Sequence, residues 1–310
     1  MIEKDKLTKS IFEMYQEYPF PDINYKMDYS LPLIRFLNDN AKEGKKNLLD
    51  GANVLEAGCG TGNTIIKLAE TCTTGSFTGV DMTINSLKIA KKNSEIKNLK
   101  NIKFQEQNIL NLDLGKKFNV IFCIGVLHHL TDMQKGMQSL VSHLEDDGHL
   151  IMWLYGKDGR FKLNLNQRML SVLFQNESSL KKKVELTKKI LKNEANKYLD
   201  CHFNVPDSKI EDKWTEGVEF LLKNDNWIVD QFLHYNEKVV DMRDIYELNR
   251  LFNLEIVEWL GTSTDIKKYV PEESIQSIFS ELSIKDKHLV LDDLLKPKYY
   301  FLVLKKKDKI

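Results

Sequence analysis

The stretch Asn53-Val54-Leu55-Glu56-Ala57-Gly58-Cys59-Gly60-Thr61-Gly62-Asn63 constrains this chain more than any other. A β-type apolar run ends beside an acid, breaks into glycines on alternate positions and then turns helical. A strand that opens through a glycine turn into a helix presents backbone N–H groups at the carboxyl edge of a sheet. Glycine serves where the backbone needs a positive φ or approaches a neighbour too closely for a Cβ. The dinucleotide fingerprint G-x-G-x-x-G would put its third glycine where Asn63 stands. Instead Gly58, Gly60 and Gly62 give G-x-G-x-G, with Glu56 two residues ahead. A carboxylate there disfavours a pyrophosphate and suits a ligand carrying an amino group and a sulfonium.

Ser76-Phe77-Thr78-Gly79-Val80-Asp81 is a second short strand, ending in an acid 19 residues after Gly62. A strand-terminal carboxylate so placed can accept from two ribose hydroxyls; capping of the next helix by Asp81 or Thr83 is the alternative. At these residues the chain resembles the class I S-adenosylmethionine-dependent methyltransferases, whose E/D-x-G-x-G-x-G signature is matched in full. The resemblance implies S-adenosyl-L-methionine as cofactor. It puts Glu56 at the amino acid end, Gly58, Cys59, Gly60, Thr61 and Gly62 in the backbone cradle, Asp81 on the ribose and Met82 against the adenine. No metal is implied.

A third strand, Ile102 to Gln107, leads into Asn108-Ile109. The resembled family usually has Asp at Asn108 to accept from the adenine amino group; Asn accepts through its carbonyl without charge assistance. Ile109 and Ile124 complete the implied cofactor pocket. The fourth strand, Phe118 to Ile124, is nearly continuous in apolar residues, as a parallel strand buried on both faces should be.

Gly125-Val126-Leu127-His128-His129-Leu130-Thr131-Asp132 follows. It lacks the Asn/Asp-Pro-Pro-aromatic motif of enzymes that methylate base amines or glutamine amides, and resembles methyltransferases acting on small molecules such as quinones and lipids. His128 and His129 are candidate general bases, since imidazole titrates near neutrality. Leu127 and Leu130 bracket them, and the pair is expected to open a helix capped by Asp132. Packing is their alternative role, because methyl transfer from a sulfonium can proceed on alignment and desolvation alone.

Asp132 to Leu144 reads as a helix, with Gly148 as an αL stop, and His149 to Tyr155 as a fifth buried strand. Strands alternating with helices over residues 52–155 imply a doubly wound, mostly parallel α/β sheet with its ligand crevice at the carboxyl ends. The resemblance implies seven strands, a helical cap inserted after the fifth, and an antiparallel strand pair at one edge. Leu254 to Leu260 and Tyr299 to Leu304 are the candidate final strands.

Four regions follow: an aromatic helical cap over 1–45, the Rossmann-like cofactor core over 46–156, a helical lid over 157–235, and completion of the sheet over 236–310. In the first, Tyr15 and Tyr18 precede Pro19-Phe20-Pro21 and are candidates to cover the cofactor. In the third, Ser179 to Tyr198 carries seven lysines and reads as the solvated face of an amphipathic helix. Asp230 and His234 are candidates for the substrate side of the pocket, His234 as a further candidate catalytic group.

The chain has 45 Lys plus Arg against 45 Asp plus Glu, and a neutral protein lacks the basic surface that duplex DNA or long RNA requires. Cys59, Cys72, Cys123 and Cys201 show no paired spacing, so neither a disulfide nor a zinc framework is expected, and Cys201-His202 reads as local packing. No apolar run resembles a signal peptide or a bilayer span, which points to the cytoplasm. The expected function is methyl transfer to a small-molecule acceptor by in-line displacement, with homo-oligomerisation left open. The alternatives are an RNA or protein acceptor, a cofactor-binding protein without turnover, and a nicotinamide-dependent oxidoreductase.

Overall fold

The computed structural model describes residues 2–21, 33, 36–37, 47–193 and 213–308. Seven strands form one sheet in the order β3-β2-β1-β4-β5-β7-β6. They are β1 (Asn53–Ala57), β2 (Ser76–Asp81), β3 (Ile102–Glu106), β4 (Phe118–Ile124), β5 (Leu144–Tyr155), β6 (Leu254–Trp259) and β7 (Tyr299–Lys306). The first five run parallel, and β7 enters antiparallel between β5 and the edge strand β6. Strand order reverses beside β1, which opens a crevice between the carboxyl ends of β1 and β4.

Burial on both faces explains the apolar runs. Ile121 and Cys123 of β4 join one core cluster with Leu55, Leu150 and Met152. Val120 and Phe122 join the opposite one with Val54, Phe77 and Ile151. Helices cover the two faces: α2 (Asn63–Thr71) buries Ile65, Ile66, Leu68 and Ala69, and α3 (Ile84–Ile96) follows β2.

Two expectations near β5 are corrected. The helix after Asp132 is α4 (Met133–Ser142), and β5 begins at Leu144, because Phe118 of β4 pairs with Leu144 before a register shift. Gly148 is therefore a strand residue and not an αL stop. It is needed for close approach, since a Cβ there would lie 2.8 Å from Leu144 Cδ1 and 3.0 Å from the Asn119 carbonyl oxygen.

A third cluster forms the cap. It joins Met14 of α1 (Ile2–Glu17) to Leu163 and Leu170 of α5 (Phe161–Leu173) and Val184 and Leu191 of α6 (Leu180–Leu191). Val218 of α7 (Lys213–Lys223) and Ile228 of α8 (Asp225–Phe232) complete it. α6 starts at the Ser179 cap and turns Leu180, Val184, Thr187 and Leu191 inward, leaving its lysines on the outer face. Residues 194–198 of the expected lysine-rich helix, Cys201-His202 and much of the 1–45 cap lie outside the described residues. The rest of the chain returns to the sheet: α9 (Met242–Leu251) opens on an Asp241–Asp244 capping box, and α10 (Glu273–Ser280) and α11 (Ile284–Leu295) precede β7.

Candidate active site

The glycine turn takes the shape the sequence implies, with φ of +78° at Gly58, +50° at Gly60 and +84° at Gly62. Its backbone donors, however, are spoken for within the chain. Gly58 and Cys59 N–H both donate to the Val80 carbonyl, Gly60 N–H donates to Asp81 Oδ2 at 2.9 Å, and Gly62 N–H donates to the Cys59 carbonyl. Thr61 N–H donates to the Phe20 carbonyl, and its hydroxyl to that of Pro21 at 2.8 Å. The expectation of free N–H groups is corrected: the turn offers a close backbone wall in place of open donors. The Phe20–Pro21 segment lies against that wall, and a Cβ at Gly60 would strike the Phe20 carbonyl oxygen.

Two acids stand at this edge. Asp81 ends β2, where its Oδ1 accepts from Thr83 N–H at 2.8 Å and from the Thr83 hydroxyl at 2.7 Å. Thr83 is the N-cap of α3 without a side-chain cap bond, so Asp81 shapes that entrance itself. Burial raises its carboxyl above the usual range, against the pull of these donors. Glu56 sits behind the turn, 3 % exposed, and accepts from Ile65 N–H at 3.1 Å in the first turn of α2. Burial, with the nearby Asp81 charge, pushes Glu56 up to about 8 against the pull of the Ile65 and Thr64 donors.

The remaining expected cofactor residues occupy the same crevice edge. Cys59 is buried and its thiol pushed up by desolvation; Met82 is half-buried directly after Asp81. Asn108 Oδ1 accepts from Leu110 N–H at 2.9 Å, which starts a short 3₁₀ turn and keeps Ile109 in the core. Ile124 ends β4 opposite Trp153.

Beyond β4 the structure assembles what the sequence scatters. His128 and His129 lie in a 3₁₀ turn (Leu127–His129), separate from the helix that Asp132 caps. His234 reaches them from the cap, its ring stacked on that of His129 with centroids 3.9 Å apart and planes 25° apart. The segment 236–240 binds beside the end of β5: Lys238 N–H donates to the His128 carbonyl and Val240 N–H to that of Tyr155. This places the Asn236 backbone at the Nδ1 edges of both rings. Its carbonyl lies 3.0 Å from His129 Nδ1, and its N–H donates to His234 Nδ1 at 2.9 Å.

The two imidazoles therefore hold opposite tautomers. His129 carries its proton on Nδ1, leaving a lone pair on Nε2, while His234 keeps Nε2–H. Both Nε2 atoms are buried without a hydrogen-bond partner among the described residues, as are both ring nitrogens of His128. Desolvation, reinforced by the neighbouring rings, holds His128 and His234 well below the usual imidazole range, so both are neutral.

A buried polar network supports this cluster. The Tyr15 hydroxyl donates to Asp230 Oδ1 at 2.9 Å, and Gln231 Nε2 donates to Asp230 Oδ2 at 2.6 Å and to the Tyr155 hydroxyl at 2.7 Å. Arg160 lies over the Tyr155 ring, pairs with Glu237 at 3.0 Å and donates to Gln231 Oε1 at 3.1 Å. Asp230 is raised by burial and pulled down by His129 and Tyr15.

Tyr15 is thus turned toward Asp230 and His234, and Tyr18 packs at the margin of the cap cluster, where desolvation pushes it up to about 12. Sequence reasoning missed Tyr155, Arg160, Gln231, Asn236 and Glu237 as site residues. Arg160 alone carried a signal, a cation just ahead of a helix whose inner face is apolar.

The residues fit the implied cofactor on one structural ground: a strand-end carboxylate, a glycine wall and an apolar floor meet where strand order reverses. Comparison with known proteins agrees. Residues 48–224 match the methyltransferase-domain family. An uncharacterised protein of Synechococcus is 28% identical over 54% of this chain and 42% of its own length. A ubiquinone biosynthesis O-methyltransferase of Haemophilus ducreyi is 31% identical over 49% of this chain and 64% of its own. Both matches therefore span less than two thirds of the relative. In fold, the chain is similar to PKMT2 of Rickettsia typhi, solved in complex with AdoHcy, with a TM-score of 0.64 at 18% identity over 90% of this chain and 53% of that one. With more than half of its length matched, the chain belongs to the methyltransferase-domain family, the class I S-adenosylmethionine-dependent methyltransferases.

Proposed function

We propose that the chain methylates a hydroxyl group of a small-molecule acceptor. The observation that carries this reading is the pair of orphaned Nε2 atoms on His129 and His234. One is an acceptor and the other a donor, which complements a single hydroxyl that gives its proton to His129 and receives a hydrogen bond from His234. The names of two relatives support an oxygen acceptor, the ubiquinone biosynthesis enzyme and the malonyl-[acyl-carrier protein] O-methyltransferase of Bacillus anthracis.

When bound, S-adenosylmethionine would supply an electrophilic methyl group for in-line transfer to the acceptor oxygen, with the thioether S-adenosylhomocysteine as the leaving group. Gly58, Gly60, Gly62 and Asp81 would hold it, with Glu56 at its amino acid end and Asn108 and Met82 toward the adenine. His129 Nε2 takes the acceptor proton, and the resulting imidazolium is stabilised by the Asp230 carboxylate and by the Asn236 carbonyl at Nδ1. His234 fixes the oxygen, and the apolar and aromatic walls of Trp153 and Tyr155 keep water out.

Calorimetric titration of S-adenosylhomocysteine into the wild type and Asp81→Ala tests the first half. The expected loss is on the order of 1–3 kcal/mol in the variant. Turnover of a panel of phenols and catechols by the wild type and His129→Ala tests the second. Methylation at nitrogen or carbon, or at oxygen without dependence on His129, would discard the hydroxyl assignment.

A further inference from the structure

α5 is apolar on two faces. Leu163 and Leu170 point into the cap, whereas Phe161, Leu165, Met169, Val172 and Leu173 are exposed, Phe161 by 62 % and Val172 by 69 %. The exposed five recur at i, i+4, i+8, i+11 and i+12, which gathers them into one stripe along the helix. At its lower end Leu173 borders a groove of about 590 Å³, whose other wall is Leu186, Lys189 and Ile190 of α6. A stripe of this kind on a protein surface marks an interaction site.

The surrounding charge identifies the occupant. The chain is neutral overall, yet residues 157–193 hold ten Lys and Arg against three Asp and Glu. Lys162 and Arg168 lie on the helix that bears the stripe, and Lys189 lines the groove. Lys181 and Lys192 are exposed on the adjoining helix. None of these five makes an ion pair among the described residues, while Lys182 and Lys188 are engaged by Glu177 and Asp225. Large aliphatic and aromatic side chains flanked by unpaired cations match the acyl boundary and phosphate layer of an anionic bilayer. Among the described residues no helix is long and apolar enough to cross a membrane, so the contact is with the surface.

We propose that the outer face of α5, with the groove it shares with α6, docks this protein on an anionic membrane. The inner side of α5 supports the site: Gln167 Nε2 donates to the Gln231 carbonyl and to Glu237. Docking therefore sets the acceptor side of the pocket next to the lipid phase.

The test is co-sedimentation of the full chain with phosphatidylcholine vesicles, with and without phosphatidylglycerol. Binding is expected only to the phosphatidylglycerol vesicles and should weaken severalfold in high salt. Leu165→Glu/Val172→Glu should reduce it about tenfold or more, and Lys181→Glu/Lys189→Glu should reduce it through charge alone. All four positions are exposed or peripheral, and circular dichroism confirms that each variant is folded. Absence of binding, or binding unchanged in Leu165→Glu/Val172→Glu, would overturn the proposal. So would a dimer in sedimentation velocity that the same substitution dissolves, because the stripe would then be an interface between two copies.

Discussion

His129 and His234 stack 3.9 Å apart in opposite tautomers because one residue, Asn236, addresses both Nδ1 atoms through its backbone. The Asn236 side chain adds donors to the His129 and Leu130 carbonyls at 3.0 Å each. Two buried ring edges are thereby set side by side, one Nδ1 facing a carbonyl and the other facing an N–H.

If His129 takes the acceptor proton, His129→Ala should lower kcat by roughly 100-fold or more, within the range of general base catalysis. Affinity for S-adenosylhomocysteine should stay unchanged. Steady-state kinetics beside calorimetry separates the two, and equal losses in both would show that the ring only supports the fold.

Gly60 holds φ +50° with the Phe20 carbonyl against its Cα. Gly60→Ala should destabilise the chain by about 1–3 kcal/mol and loosen the 19–21 segment. Thermal unfolding reads the first effect, and accelerated proteolysis of the N-terminal segment reads the second.

Arg160 and Glu237 form an ion pair with side chains 8 % and 4 % exposed. Arg160→Leu should cost about 3–5 kcal/mol, because Glu237 would be left buried without its cation, held by the Gln167 and Asn164 amides. Adding Glu237→Leu should recover part of that loss. A denaturant double-mutant cycle measures the recovery, and strict additivity would mean that the pair is not coupled.

The pH dependence has two opposing parts. Glu56 titrates near 8 when folded and near its ordinary 4.5 when unfolded. Across that window the folded chain holds a proton that the unfolded chain has released, so stability falls with rising pH, by up to about 1.4 kcal/mol per unit. His128 and His234 act in reverse. They stay neutral when folded, the unfolded chain takes up their protons below about 6.5, and stability is lost as pH falls through that value. Glu56→Gln should remove the decline between neutrality and about pH 8 while the acid loss remains. Melting curves across pH check this, and an unchanged decline would exonerate Glu56.

The strand-end cluster around the glycine turn was legible because its residues lie on consecutive strand ends. Each buried parallel strand announces itself as an apolar run, and each strand end carries its own acid or glycine. The histidine cluster was not, since Asn236 meets His129 from 107 residues away, and Gln231 and Glu237 meet Tyr155 and Arg160 from more than seventy. Nothing local in the sequence marks such a meeting. Near Gly148 local reading failed for a second reason. Glu145-Asp146-Asp147-Gly148 has turn composition, but pairing of Leu144 with Phe118 draws it into β5.

The segment 14–21 is fastened along its length. The Tyr15 hydroxyl holds Asp230, the Pro19 carbonyl accepts from Asn226 Nδ2 at 2.5 Å, and the Phe20 and Pro21 carbonyls accept from Thr61. One stretch of backbone thus runs like a seam from the α8 helix to the glycine turn. A substitution that loosens it at Thr61 should therefore be felt at Asp230, far along the chain but only one short seam away.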